Sequence, residues 1–580
     1  MRIDRDVGME MRDGTVLRAD IYRPDDRQKH PTILTRFYNK AWWPRRTGWL
    51  DIIDATDAGY AVVTQDVRGK GASDGEWRPE RASNIEGLDG YDSVEWIASQ
   101  SWCDGNVGMM GYSHGGGTTW QAAMENPPHL KAIAPWSSGG AGGRGEVPPV
   151  SGGAIQFMNT LNWMTVEAVE VVDRLEREGQ DVTEMRRIFE WALSNLDEYC
   201  NFLPLKDMPF TRFESIGRLW NMRLHPMPAA EPERRRRFEK VIVPCFHLSG
   251  WYDILEFNVI ESFKNMREFG GSQITRESQH LMVGPWAHSA WLLSYLAGIN
   301  FGGAVVGQSR NLVSDELIAF YDKYLCGKDI KIPAVRYFMM GKNRWQIADT
   351  WPLPDTQWQR FYFHSKGSAN TSAGDGILSR ENPGSEPADI FVYNPHHPVP
   401  TVGGPMTSPI AGFGYVAGPL EQSHIEQRND VLCYTTPELK EDIEVTGPLQ
   451  LHVSAATSAR DTDFTARLVD VYPDGRSHNV ADGILRASGR KSESKPELVN
   501  PGEVNEYVIG MGNTSQLFRK GHRIRIDISS SNFPLYDRNM NTGNPIGEDA
   551  HGIPALQTIY HESECASYID LPVIYDKSIH

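Results

Sequence analysis

The chain has 580 residues, with 40% hydrophobic, 10% aromatic and 23% charged side chains, the make-up of a soluble globular protein rather than a disordered or fibrous one. One core stops growing at about 250–300 residues, so a chain of this length divides into several units. Lysine and arginine number 58 against 75 acidic residues, a net charge of −17; that sign excludes the basic face on which nucleic-acid binding depends.

The N-terminal residues 1–14 carry charges throughout and no apolar run, so no signal peptide is predicted. The longest stretch without Asp, Glu, Lys or Arg, Ser278 to Ser309, is broken by Gly284-Pro285, His288, Gly298, Asn300 and Gly302-Gly303, which argues against a membrane span. The six cysteines are scattered with no CxxC pair, against a cysteine-based zinc module or a disulfide scaffold. A soluble, cytoplasmic chain is expected.

Pro31–Thr35, Tyr60–Thr64 and Val107–Tyr112 are short β-rich runs. Helical patterns at Gly90–Ala98 and Gly115–Glu125 alternate with them, and Leu130–Ala134 follows as a further strand. Such alternation predicts an α/β domain built on a parallel sheet. From Ser137 to Gly153 the chain is rich in Gly, Ser and Pro and reads as a loop leaving the sheet. Amphipathic helical runs follow at Asn162–Gly179 and Val182–Leu193, then a charged run, Glu231–Phe238, read as a solvated helix face. Strand character returns at Lys240–Leu248, so residues 145–240 are read as a helical insertion. Trp351-Pro352-Leu353-Pro354 marks the next boundary. Beyond it lie Phe361–Phe363, Leu449–Val453, Phe464–Val471, Glu506–Ile509 and Arg523–Ile528, separated by turn signals and read as an all-β sandwich. The expected units are 1–144 with 241–352, the insertion 145–240, and 353–580.

The strongest chemical signal is Gly111-Tyr112-Ser113-His114-Gly115, which follows an apolar strand and opens a glycine-rich helix start. A serine hydroxyl becomes a nucleophile when a strained strand-to-helix turn lifts it clear of the sheet and a base takes its proton. The helix behind it turns free N–H groups toward a developing oxyanion. In this fold the acid and then the histidine follow in the chain. Asp253, in His247–Asp253, and His288, in Leu281–His288, each fall just past an apolar strand, where open α/β sheets place their ligands. His114 is a rival base, but beside the nucleophile it points away from it. His247, inside a strand, is read as structural.

These motifs resemble those of the cocaine-esterase-like (CocE/NonD) serine hydrolases, relatives of X-prolyl dipeptidyl peptidases, α-amino-acid ester hydrolases and cephalosporin acylases. The resemblance runs from Met9–Asp20 almost to the C-terminus. It includes Gln65–Gly69 with Ser73-Asp74-Gly75, Trp102–Gly108, Gly250–Asp253 and Gly284–His288. In the β half it includes Pro398–Gly404, Asp461–Phe464 with Val469–Gly475, Asn532–Pro534 and Asn541–Gly543. It implies an α/β-hydrolase domain with an inserted helical cap and a C-terminal jelly-roll domain. It also implies a Ser113, Asp253, His288 triad, and an oxyanion hole made by the His114 backbone N–H and the Tyr38 hydroxyl. Family members commonly carry Tyr after the nucleophile; His114 departs from that pattern beside the acyl pocket.

The expected reaction is ester hydrolysis through an acyl-enzyme, as in a carboxylesterase, without a cofactor or metal. Trp163 and Trp251 are candidates for an aromatic acyl pocket, ahead of Trp136, Tyr252 and Trp286. The alternative is an amide hydrolase, an X-prolyl dipeptidyl peptidase or β-lactam side-chain acylase, which needs carboxylates for a substrate ammonium; Glu256 and Asp173 are the candidates. A sugar-binding sandwich is a reading from another class, countered by the intact order of the triad. Metal hydrolysis through His396-His397 or Asp461 and Asp463 is disfavoured, since adjacent histidines point apart and no HExxH occurs. The expected partner is a small-molecule ester or amide, with no nucleic acid and no membrane; a homo-oligomer is compatible with the chain.

Overall fold

The computed structural model describes residues 1–40, 50–77, 84–140, 150–225, 231–288, 290–307, 310–407 and 415–575. The N-terminal strands are β1 (Arg2–Glu10), β2 (Val16–Arg23), β3 (His30–Phe37), β4 (Ala61–Asp66), β5 (Cys103–Tyr112) and β6 (Leu130–Trp136). A small hairpin follows, β7 (Val150–Ser151) and β8 (Ala154–Ile155), then β9 (Cys245–Tyr252) and β10 (Gln279–Ala287). A second hairpin, β11 (Tyr295–Leu296) and β12 (Ile299–Asn300), precedes β13 (Val335–Met339) and β14 (Arg344–Ala348).

Ten of these strands form one sheet in the order β1-β2-β4-β3-β5-β6-β9-β10-β13-β14. Pairing is parallel from β4 through β13, and antiparallel where β1, β2 and β14 close the two ends. Parallel sheets are covered on both faces and need strands apolar throughout; every residue of β4, β9 and β10 is buried. The covering helices include α1 (Ile52–Asp57), α2 (Ile85–Ala98) and α3 (His114–Met124). The expected strands and helices of this half are all present, with ends that differ from the expected ones by a few residues. One expectation is corrected. Strand character was expected from Lys240, but β9 begins at Cys245, directly after Pro244, whose ring fixes φ and removes a ladder donor.

Between β6 and β9 lie α4 (Phe157–Arg177), α5 (Thr183–Ser194), α6 (Leu196–Asn201), α7 (Glu214–Leu224) and α8 (Glu231–Lys240). The flanking strands nevertheless pair directly, Trp136 with Leu248, so these helices interrupt the sheet in sequence but not in space. Phe157, Leu161, Met164 and Trp220 pack inward and meet Phe533, Leu535 and Tyr536 from the C-terminal half. The charged run is α8, whose Arg235–Glu239 and Arg237–Glu233 pairs lie one turn apart. The expected start of this segment, 144/145, lies outside the described residues.

The C-terminal half is a large mixed sheet of eleven strands among the described residues. Its pairings are antiparallel apart from Ile377 against Thr435. Two expected runs belong to much longer strands, Ile443–Thr457 and Asn505–Phe518, which pair with each other around a bulge at Pro448. The two sheets are joined rather than tethered. Met340 N–H donates to the Ser515 carbonyl at 2.9 Å, and Trp351 Nε1 donates to Asn513 Oδ1 at 2.9 Å. Among the described residues, no helix is long and apolar enough to cross a membrane.

Candidate active site

Strand β5 ends in Gly111-Tyr112, and Ser113 takes φ 54° and ψ −116° before α3 starts at His114. A non-glycine residue in such a conformation costs about 1–3 kcal/mol and persists only where the surroundings enforce it. Here the enforcement is visible. A Cβ at Gly111 would lie 2.1 Å from Gly115 carbonyl atoms, so the turn closes only over glycine. Ser113 N–H donates to the Trp136 carbonyl at 3.0 Å, tying the turn to β6.

Asp253 and His288 stand beyond the ends of neighbouring strands, since β9 and β10 run parallel with Gly250 opposite Gly284 and Tyr252 opposite Ala287. The Gly250 position has no room for a Cβ, which would sit 2.3 Å from the Trp286 carbonyl oxygen. His288 Nε2 lies 3.1 Å from Ser113 Oγ, and His288 Nδ1 lies 3.1 Å from both Asp253 oxygens. A carboxylate only accepts, so Nδ1 donates to Asp253 and Nε2 is left to accept from the serine hydroxyl. Asp253 and His288 are buried at 3% and 8% exposure.

Four contacts that sequence reasoning missed hold this group in place. Ser137 Oγ donates to Asp253 Oδ2 at 2.7 Å, while Leu255 N–H donates to Oδ1 at 2.8 Å. The Tyr112 hydroxyl donates to the His288 carbonyl, which also accepts from Trp291 Nε1 at 3.2 Å. Ser137 sits directly past β6, so the strand-end rule that found Asp253 and His288 applies to it equally.

Tyr38 follows β3 and is buried, with its ring stacked on His114 at 4.1 Å. Its hydroxyl oxygen accepts from Trp163 Nε1 of α4 at 3.1 Å. The same hydroxyl bonds to Glu167, one turn further along α4. Burial pushes the Glu167 carboxyl up, opposed by the Lys70 ammonium. Lys70 Nζ also reaches Glu170 at 3.2 Å and lies 4.0 Å from the Trp77 ring centroid.

The remaining candidates are dispersed. Trp251 donates its indole N–H to the Phe338 carbonyl at 2.7 Å and packs on Trp351. Trp136 and Trp286 both pack on Trp291, and the Tyr252 hydroxyl meets the Asn479 carbonyl at 3.4 Å. Glu256 opens α9 (Glu256–Phe269) and accepts from Asn513 N–H at 3.3 Å; burial pushes its carboxyl up to about 8. Asp173 holds Arg186 at 3.0 Å with both side chains exposed. His247 bonds to Gln279 at 2.7 Å, and burial lowers it to about 4. Asp463 binds Arg486, and Asp461 accepts from the Ser488 N–H and hydroxyl. His396 Nε2 faces Gly552 N–H at 3.4 Å. Among the described residues, no group of three or more His, Cys, Asp or Glu is arranged to hold a metal ion.

Known proteins share this architecture end to end. Residues 13–290 match the family described as X-Pro dipeptidyl-peptidase (S15 family), and residues 330–570 match its C-terminal non-catalytic domain. Cocaine esterase of Rhodococcus sp. is 36% identical over 588 residues, 98% of each chain. An aminopeptidase structure from a marine-sediment Thaumarchaeota archaeon superposes with a TM-score of 0.80 at 24% identity, covering 99% of this chain and 96% of that one. An α-amino acid ester hydrolase structure gives 0.77 at 24% identity with the same coverage, so both share the fold. Fold and site together define a serine hydrolase. The chain belongs to the CocE/NonD family of these enzymes, which is related to the X-Pro dipeptidyl peptidases.

Proposed function

We propose that the protein hydrolyses carboxylic esters, with Ser113 as nucleophile, His288 as general base and Asp253 as the group that orients and stabilises the imidazolium. The observation that carries this reading is the unbroken chain Ser113 Oγ to His288 to Asp253, each link 3.1 Å. Ser113 attacks the ester carbonyl carbon as His288 Nε2 takes its proton. The tetrahedral intermediate collapses to an acyl-enzyme as His288 returns that proton to the leaving alkoxide, and water repeats the sequence to release the acid.

The oxyanion falls to the His114 N–H, at the start of α3, and to the Tyr38 hydroxyl. Stacking of Tyr38 on His114 keeps these two donors adjacent. Trp163 donates its indole N–H to the Tyr38 oxygen from the other side, and the Tyr38 proton, directed at the Glu167 carboxylate in the resting site, turns to the oxyanion as it forms. We assign Trp163 to the acyl pocket, and Trp251, committed to Phe338 and Trp351, to packing around it.

Ester is favoured over amide substrates that carry a free ammonium. Burial pushes the Glu256 carboxyl up to about 8 and Arg186 holds Asp173, so neither is placed to supply the anion such a substrate needs. We read 145–240 as a cap inserted into a hydrolase domain of 1–144 and 241–352, and 353–580 as a jelly roll of a cytoplasmic enzyme. The largely antiparallel pairing of the second sheet supports the last assignment. The test is fluorophosphonate labelling followed by p-nitrophenyl ester and Ala-Pro anilide assays. Labelling at Ser113 with ester turnover is expected; anilide turnover without ester turnover overturns the ester assignment.

A further inference from the structure

A cavity of about 360 Å³ lies in the seam where the β13–β14 hairpin meets the C-terminal sheet. Phe301 and Asn343 line it from the first half, and Asp470, Tyr472, His478 and Arg519 from the second. None of Ser113, Asp253 and His288 lines it.

Its polar groups have a consistent pattern. Asp470, 3% exposed, binds His522 Nδ1 at 2.8 Å through one oxygen and accepts from Gln516 Nε2 at 3.2 Å through the other. His478, 9% exposed, turns Nδ1 to the Pro419 carbonyl at 2.9 Å. A carbonyl only accepts, so Nδ1 carries the proton and Nε2 presents a lone pair. That Nε2 is buried without a partner, and so is Asn343 Oδ1, whose amide Nδ2 is spent on the Asn300 carbonyl at 3.2 Å. Buried polar atoms left unpaired are costly, and two of them belong to side chains that line this one cavity, so a ligand that draws both toward it would satisfy both.

Both unpaired atoms are acceptors, and this selects the ligand's chemistry. An anion would face the lone pairs of His478 and Asn343. A cation would meet the Arg519 guanidinium. A neutral polyhydroxyl compound fits every group: its O–H groups donate to His478 Nε2 and Asn343 Oδ1, and its oxygens accept from Arg519. Arg519 spends one N–H on the Gly341 carbonyl at 2.6 Å and has others to give. The C–H face of such a molecule packs against Tyr472 and Phe301. A small cavity with aromatic walls and a few placed polar groups is the usual form of a ligand site.

We propose that this seam cavity is a binding subsite for a small polyol or monosaccharide, separate from the hydrolytic centre. Glucose, galactose and myo-inositol are the probes, with acetate and methylammonium as the anionic and cationic counterparts, read by saturation-transfer NMR and calorimetry on the full chain. At least one polyol is expected to bind, and to weaken tenfold or more in Asn343→Ala and in Tyr472→Ala. Ser113→Ala is expected to bind it as the wild type does, so the result stands apart from the hydrolytic reading. Unfolding midpoints verify that each variant is folded. Should Tyr472→Ala fail to fold, the Asn343 variant on the β13–β14 hairpin decides. No binding by any polyol, binding unchanged in both cavity variants, or acetate or methylammonium binding there in place of the polyols overturns the proposal.

Discussion

Lys70 Nζ and Glu167 Oε2 lie 2.6 Å apart with each side chain only 3% exposed, so a buried ion pair fastens α4 to the loop after β4. One ammonium there serves two carboxylates, because Glu170 also reaches it at 3.2 Å. Burial pushes Glu170 up to about 7 despite that contact. Removing one partner of a buried pair strands the other charge, at about 3–5 kcal/mol. Lys70→Met is therefore expected to lose that much stability in urea unfolding, and Lys70→Met with Glu167→Gln to recover most of it. Equal stability of single variant and wild type would show that the pair carries no net energy.

Ser113→Ala removes the proposed nucleophile and is expected to lower kcat on the order of 10⁶-fold while the unfolding midpoint is kept. Ser249→Ala is the control. That serine is fully buried within β9, and its loss is expected to leave kcat within a few-fold. Steady-state assay of both on one ester reads the contrast; near-normal turnover in Ser113→Ala ends the assignment.

Tyr38→Phe keeps the ring against His114 and removes only the hydroxyl. A neutral carbonyl gains little from that donor, whereas the shielded oxyanion gains a great deal. A fall in kcat of roughly 10²–10³, about 2.7–4 kcal/mol, is expected with KM nearly unchanged. Normal kcat with a raised KM would move Tyr38 out of the oxyanion hole.

Ser137→Ala tests the support behind the acid. A hydrogen bond to a charged group contributes about 1.5–3 kcal/mol, and part of that holds the carboxylate square to His288. The expected result is a kcat lower by roughly tenfold at unchanged KM, with fluorophosphonate labelling slowed in parallel. Unchanged labelling would make Leu255 N–H and His288 sufficient to fix Asp253.

Glu256 predicts a pH dependence of stability. Its ordinary value of 4.5 rises to about 8 in the folded chain, with burial as the main cause and the nearby Asp253 charge as a smaller one. Between these values the native state holds a proton that the unfolded chain has released, so stability falls as pH rises through the window. The contribution is complete below about 4.5 and lost above about 8. Glu256→Gln is expected to flatten this slope and to exceed wild-type stability at alkaline pH by on the order of 3–5 kcal/mol. Urea midpoints at about pH 5 and about pH 9 check the sign.

The triad candidates were legible because each lies within a few residues of a strand end, a local pattern that survives without coordinates. Strand positions were legible for the same reason. Lys70 and Glu167 were not, because 97 positions separate them and a charged residue ordinarily belongs on a solvated face. Trp251 was a reasonable pocket candidate from its place beside Asp253, yet its indole donates to Phe338, a partner that only strand pairing brings near. Glu256 illustrates a different limit. Its sequence position suits an ammonium anchor, but burial decides its charge, and its hydrogen-bond partner there, the Asn513 N–H, comes from the other half of the chain.

The insertion of α4–α8 between β6 and β9 also sets a timetable for the nascent polypeptide. Ser137 and its acceptor Asp253 are 116 positions apart, which at ribosomal speeds of 5–20 residues per second is roughly 6–23 s of synthesis. Through that interval β6 has no neighbour on its β9 side, and an unpaired apolar edge invites the wrong partner. Only when β9 and then β10 emerge can Ser113 meet Asp253 and His288. The window of vulnerability to misassembly therefore closes at the moment the enzyme becomes competent. Slowing translation across α4–α8 is expected to raise demand for chaperones without changing the activity of the chains that fold.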